Sequence, residues 1–133
     1  MSKKIEQFED LPLWKNASAV AVEIYKLSEI GKLKSDFGMK DQIRRSAASI
    51  SNNIAEGFEY NNNQNFIRFL HYAKGSAGEL RSQLFLLKET ELINPETYHT
   101  LYEKLLDLSK QISGFIKYLK EFEQQKKQSI TKN

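Results

Sequence analysis

Residues 66–87 read FIRFLHYAKGSAGELRSQLFLL and carry the most regular pattern in the chain. Apolar side chains recur there in alternating steps of four and three residues, at Phe66, Leu70, Ala73, Ala77, Leu80, Leu84 and Leu87. This spacing is typical of one face of an α-helix, because a helical turn contains about 3.6 residues. We therefore predict a long amphipathic helix over residues 64–92.

Three further runs with the same periodicity predict helices over residues 11–30, 39–59 and 95–123. The last of these has a well-marked start, because Asn94 can cap the helix and Pro95 suits its first position. No run of alternating β-branched residues competes with these patterns. The apolar positions of the three runs are Leu13, Ala17, Val20, Ile24 and Leu27; Ile43, Ala47, Ile50, Ile54 and Phe58; and Tyr98, Leu101, Leu105, Leu108, Ile112, Phe115, Leu119 and Phe122.

The links between the four predicted helices are short, which favours antiparallel neighbours. Each helix has one apolar face to bury. The sequence therefore predicts an all-α fold, an antiparallel up-down-up-down four-helix bundle with left-handed crossings of about 20°. Residues 1–123 form its single domain.

The net charge of +3 comes from 20 Lys plus Arg against 17 Asp plus Glu in 133 residues. Residues 1–123 contain equal numbers of basic and acidic side chains, so the excess lies in residues 124–133. Lys126, Lys127 and Lys132 lie in this segment, which has no acid. We predict a basic, polar, disordered tail that would contact nucleic acid only weakly as a single copy.

Composition and motifs give no indication of an enzyme. The chain has no Cys, only two His and neither a P-loop nor a Gly-x-Gly-x-x-Gly turn, so we expect no catalytic, cofactor-binding or metal-binding residues and no small-molecule substrate. The Glu96-x-x-His99 spacing lacks the second motif that a di-iron bundle requires. Without a secretory start or a long apolar run, the expected location is the cytoplasm, with no membrane contact.

A row of polar residues borders the apolar face of the second predicted helix: Arg44, Arg45, Asn52, Asn53 and Glu56. One interpretation is a partly buried network that fixes helix register, in which Arg45 pairs with Glu56 through Asn52 or across to a neighbouring helix. The other is an RNA-contacting surface on which Arg44 and Arg45 meet phosphates. The sequence leaves both open.

The third predicted helix carries a second apolar row, which a helical wheel places opposite its core face. One interpretation is a solvated basic edge with incidental apolar residues, and the other is a subunit interface. Gly75 and Gly78 lower helix stability, so we also predict that small side chains there let another helix approach closely. The interface candidates are Ile67, Lys74, Gly78, Arg81, Phe85 and Lys88.

Residues 42–47 (QIRRSA), 49–50 (SI) and 53–57 (NIAEG) carry a family resemblance. They resemble the signature of the four-helix-bundle proteins related to the 23S rRNA-intervening-sequence protein. Positions in the first and third predicted helices also match this family: Phe8, Leu11, Trp14, Phe66, Phe69, Leu70, Ala73, Gly75, Ser76, Glu79 and Leu80.

This resemblance implies a homopentameric ring, and therefore an interaction or assembly module whose first partner is its own chain. It also implies a relation to the accessory variability proteins of diversity-generating retroelements, which bind a reverse transcriptase and nucleic acid. The alternative function is thus RNA or DNA binding. Five tails in one ring would bring their lysines together and strengthen such binding.

Overall fold

The computed structural model describes residues 4–131. It consists of four α-helices, with short 3₁₀ turns before the first and the second, and it has no strand in this range. The predictions of an all-α fold and of four helices are therefore confirmed. The helices are α1 (Pro12–Leu27), α2 (Phe37–Glu59), α3 (Asn63–Glu89) and α4 (Pro95–Thr131), and the 3₁₀ turns are Phe8–Asp10 and Gly31–Ser35.

The hydrophobic core contains apolar side chains from all four helices and from the turn before α2, where Leu33 is fully buried. Every member of the apolar run predicted for α3 is buried. In α4, Ile116 is buried and Phe122 is half-exposed, so the predicted core position of Phe122 is wrong. The predicted run repeats every 3.5 residues on average, whereas a straight helix turns once in about 3.6 residues. Along a helix as long as α4 this difference accumulates, so that the buried position shifts by one residue toward the end of the helix.

α1 and α3 lie diagonally across the bundle. α2 and α4 each pack against both of them, whereas α1 and α3 are not in extensive contact with each other. The outward faces of α1 and α3 therefore point away from each other.

Pairs of residues across the boundary of α1 and α4 run in opposite order along the two helices. Asn16 donates its amide N–H to Gln111 (2.9 Å), and Lys104 pairs with Glu23 (2.6 Å). The same order appears between α2 and α3, where Ser49 meets Ser76 (2.9 Å) and Gly57 lies beside the start of α3. It appears again between α3 and α4, in the ring contacts of Phe66 with Phe115 and of Phe85 with Tyr98.

Two helices end before their predicted last residue because side chains and turns satisfy their final carbonyls. α1 ends at Leu27, where the Ser28 hydroxyl donates to the carbonyl of Tyr25 (2.7 Å). α3 ends at Glu89, because Glu91 adopts a left-handed backbone (φ 60°) and the chain turns away. Left-handed Glu is uncommon, so the sequence pattern could not mark this end.

The start of α4 is the predicted one. Pro95 is its first residue, and the side-chain oxygen of Asn94 accepts a hydrogen bond from the backbone N–H of Thr97 (2.7 Å). This contact is an N-cap, which satisfies one of the free N–H groups in the first turn of a helix.

The close helix approach occurs at Gly57 and not at Gly75 or Gly78. A Cβ built on Gly57 would lie 2.7 Å from the Cβ of Phe69, whereas one on Gly75 would have no neighbour within 4 Å and one on Gly78 would meet only Arg81. The prediction for Gly75 and Gly78 is therefore wrong. The backbone of α2 reaches α3 near the end of α2, where glycine leaves room for the phenylalanine.

α4 continues as a helix through Thr131, beyond the predicted end at residue 123. The amide of Asn63, at the start of α3, donates to Glu123 (2.8 Å), so α4 leaves the bundle at about this point. We call residues 124–131 the overhang. Its Gln and Lys residues favour helix, and it contains neither Gly nor Pro. The overhang includes Lys126 and Lys127, whereas Lys132 lies outside the described residues.

Candidate interaction surfaces

The structure divides the polar row of α2 into two groups. Arg44 and Asn53 are half-buried and contact neighbouring groups, whereas Arg45, Asn52 and Glu56 are exposed. A helix turns by about 100° per residue, so adjacent members of this row face different surroundings.

Arg44 joins the start of α2 to the end of α1. Its Nε donates to the hydroxyl of Ser28 (2.7 Å), its terminal nitrogen pairs with Glu29 (2.5 Å), and its guanidinium lies 4.6 Å from the ring centre of Tyr25. Lys40 also pairs with Glu29 (2.6 Å), and its hydrogen bond, together with that from Arg44, holds the pKa of the Glu29 carboxyl below its usual value. Arg44 would have to leave these partners before it could meet a phosphate.

Asn53 takes part in a small polar network between α2 and α3. Its amide donates to the carbonyl (2.8 Å) and the hydroxyl (3.0 Å) of Ser49, and that hydroxyl shares a hydrogen bond with Ser76 of α3 (2.9 Å). These groups are partly buried, so the bonds satisfy polar atoms that water reaches poorly.

Within residues 4–131, the predicted pairing of Arg45 with Glu56 through Asn52 does not form. Arg45 instead pairs with Asp41 one turn earlier (3.0 Å), and its side chain is 80% exposed. Such exposed pairs contribute little to stability. Arg45, Asn52 and Glu56 therefore lie on the solvent face of α2 and do not link helices.

The candidate interface row of α3 lies along its boundary with α4. Arg81 is half-buried with its guanidinium 5.9 Å from the ring centre of Tyr102, and the Lys88 ammonium lies 4.6 Å from that of Tyr98. Cations at such positions are attracted to the face of the ring. These two basic side chains therefore hold α3 and α4 together.

Only part of the same row remains open to a second chain. Ile67, like Gly78, is half-buried, whereas Lys74 and Phe85 are exposed. The helical wheel placed the whole row on the solvent side because it considered one core direction, but α3 packs against both α2 and α4. The exposed aromatic ring of Phe85 is the member of the row best placed to meet another subunit.

Two exposed apolar patches lie on the diagonal helices. The α1 patch consists of Val22 (52% exposed) and Tyr25 (44%), one turn apart. The α3 patch consists of Phe85 (46%) and its neighbour Leu86 (52%). Sequence reasoning found Phe85 but missed the α1 patch.

A groove of about 1290 Å³ runs between the beginning of α3 and the second half of α4. We call it the lysine groove, because five lysines contribute to its lining: Lys74, Lys117, Lys120, Lys126 and Lys127. Sequence reasoning named three of them for other reasons and missed Lys117 and Lys120. Lys117 and Lys120 lie three residues apart, and Lys127 follows Lys120 by seven residues. Both spacings place side chains on the same face of a helix, and this was the signal in the sequence.

The sequence pattern of the 23S rRNA-intervening sequence protein family matches residues 9–114. The chain belongs to this family. Among solved structures, it is similar to a protein with unknown function from the S23 ribosomal protein family from Bacteroides thetaiotaomicron VPI-5482. The two sequences are 30% identical, the similarity covers 79% of this chain and 98% of that one, and the TM-score is 0.72. Among curated proteins, no relative matches.

The family match includes both apolar patches and the polar row of α2, because all of these residues precede residue 114. The α4 lysines of the groove follow that residue. The lysine groove is therefore built partly from sequence outside the matched region.

Two searches of residues 4–131 concern other classes of site. No helix in this range is long and apolar enough to cross a membrane. Nor do three or more His, Asp or Glu side chains come together there in a group that could hold a metal ion.

Proposed function

We propose that this protein self-associates head to tail into a closed ring and serves as a non-enzymatic interaction and assembly module. The observation that supports this function is the presence of two exposed apolar patches on opposite sides of the bundle. Another chain commonly covers such patches. Because the two patches differ, a contact between them is heterologous, and heterologous contacts form a ring when the rotation closes.

The two patches lie at similar heights along the bundle. Glu23, beside Val22, pairs with Lys104 of α4, and Phe85 contacts Tyr98 of the same helix. Six residues of helix separate these two positions on α4, which corresponds to about 9 Å. Heterologous contacts between patches at such heights form a ring when the rotation from one subunit to the next closes.

The number of subunits in the proposal, five, comes from the family resemblance. The relation to retroelement accessory proteins comes from the same resemblance and stays a prediction, as does the cytoplasmic location. We also propose the up-down-up-down order with left-handed crossings for the bundle. The opposed residue pairs across the helix boundaries, such as Asn16 with Gln111 and Glu23 with Lys104, support the antiparallel order.

Sedimentation velocity tests the ring. We expect the wild type to sediment with five times the chain mass of 15.5 kDa. Val22→Glu and Phe85→Glu should each reduce the mass, because each places a charge in one half of the contact. A mixture of the two variants should form a dimer and stop there, because one intact α1 patch meets one intact α3 patch.

Ile130→Glu is the matched control, because Ile130 is exposed on the overhang, away from both patches. It should leave the ring intact. A monomeric wild type would refute self-association. A mixture of the two patch variants that remains monomeric would refute the head-to-tail contact.

A further inference from the structure

The lysine groove has an apolar floor and a polar wall. Ile116 of α4 is buried beneath it, Ile67 of α3 is half-buried, and the asparagine-rich turn between α2 and α3 forms one end. The groove exists because α4, with 37 residues, extends beyond the beginning of α3, which has 27. Its position is thus fixed by the fold and by the helical overhang.

The charge of the groove is strongly one-sided for a chain whose first 123 residues are balanced. Five lysines line it, against two acids, Glu121 and Glu123, and Glu123 accepts the hydrogen bond from Asn63. From Lys117 to Lys127 the basic face extends over ten residues of helix, or about 15 Å. This length spans several phosphates of one strand, which lie about 3.4 Å apart along a duplex axis.

The other lining groups suit exposed bases. The side chains of Asn61 and Gln64 are exposed and make no hydrogen bond within residues 4–131, so both amides are available to base edges. Phe122 also lines the groove and is 48% exposed. An exposed aromatic ring in a basic groove is a platform on which an unpaired base stacks. Amides and a ring can reach bases in this way only where the strand is single.

We propose that the lysine groove binds single-stranded nucleic acid. The lysines contact the phosphates, Phe122 stacks on a base, and Asn61 and Gln64 hydrogen-bond to base edges. This binding function goes beyond self-assembly, because each groove lies within one chain. In a ring, several grooves would bind one long strand together, and this multivalency would make the overall affinity higher than that of one groove.

Fluorescence anisotropy with labelled oligouridylate and oligothymidylate of about 12 nucleotides tests the proposal. With five lysines on phosphates, the logarithm of affinity should fall against the logarithm of salt with a slope of about −3.5. Affinity should therefore drop about a hundredfold between about 50 and 200 mM salt. Equal affinity for the two probes would indicate that the groove contacts only phosphates and bases. A preference for oligouridylate would indicate further contacts to the 2′-hydroxyl, and both results support the proposal.

Two variants separate the groove from overall charge. Lys117→Gln/Lys120→Gln should weaken binding and reduce the salt slope by about 1.4, because each phosphate contact contributes about 0.7. Lys32→Gln/Lys34→Gln removes the same charge from exposed positions before α2 and should leave the slope unchanged. Phe122→Ala should weaken binding between about fivefold and a hundredfold without changing the slope.

Several results would overturn the proposal. They are no binding by the wild type at the lower salt concentration, equal binding of a duplex of the same length, and equal losses in the two lysine double variants. Competition by polyglutamate as strong as that by oligouridylate would also overturn it, because the groove would then be a site for acidic protein segments. Binding by the ring-blocking variant Phe85→Glu would show that one chain suffices.

Discussion

Alanine at position 57 should destabilise the protein, although alanine normally stabilises a helix. A Cβ there would lie 2.7 Å from the Cβ of Phe69 and 3.1 Å from Cδ1 of Phe66. Ordinary contact begins at 3.4 Å, so α2 and α3 would have to separate by about 0.7 Å. The Cβ of Phe69 is tied to its backbone and cannot rotate away. Gly57→Ala therefore forces a shift of the helix itself.

Gly75→Ala is the matched control, because it makes the same chemical change in a helix interior with no neighbour within 4 Å. It should raise the free energy of unfolding by about 1 kcal/mol, the difference in helix propensity between Ala and Gly. Gly57→Ala gains the same propensity but incurs an overpacking cost of about 1–3 kcal/mol. The difference between the two variants isolates that cost.

Urea unfolding followed by far-ultraviolet circular dichroism measures both variants. The protein concentration must be equal, because self-association would add stability by mass action. We expect Gly75→Ala to be more stable than Gly57→Ala by about 1–3 kcal/mol. If the two variants are equally stable, the close approach at Gly57 does not exist and the reasoning fails.

Three further predictions concern single contacts. Asn94→Ala should lower the free energy of unfolding by about 1 kcal/mol, measured by urea unfolding, because it removes the cap of α4; an unchanged midpoint would contradict the cap. Ser76→Ala should cost about 1 kcal/mol or less in the same assay, because the Ser49 hydroxyl still accepts a hydrogen bond from the Asn53 amide; a larger loss would mean that the network is more tightly coupled. Glu29→Gln should be less stable than wild type at neutral pH, because a carboxyl whose pKa is lowered by folding stabilises the folded state. This stabilisation is fully present at pH values above the usual pKa of 4.5, and it is lost as the pH falls through the lowered pKa. Thermal unfolding at about pH 7 and pH 3 should therefore show the difference narrowing in acid, and a constant difference would contradict the pairing with Lys40.

The fold could be predicted because its determinants are periodic and local. The apolar run from Phe66 to Leu87 defines α3, and the Asn94–Pro95 pair defines the start of α4. Helix ends were harder to predict where an uncommon conformation causes them, as at Glu91. The close approach at Gly57 was missed because a glycine near a helix end has the same appearance in sequence as a terminator.

The surfaces could be predicted only in part, because they depend on which neighbour covers each helix face. Arg44 and Asn53 contact neighbouring groups while Arg45, in the same row, does not. The excess of positive charge was correctly assigned to residues 124–133. The sequence did not reveal that Lys117 and Lys120 line the same groove as the lysines of that segment. They lie in the balanced part of the chain, and only the packing of α4 beside α3 brings them to the same groove as Lys126.

The overhang has a consequence for how order is distributed along α4. A helix of about two turns does not form by itself in water, because nucleation is unfavourable. Here the bundle supplies the nucleus, and residues 124–131 need only propagate it. Propagation adds residues one at a time, so melting of the overhang is gradual and separate from the cooperative unfolding of the bundle. Amide hydrogen exchange should become faster from residue to residue along the overhang, and a ligand that contacts it should slow exchange there first.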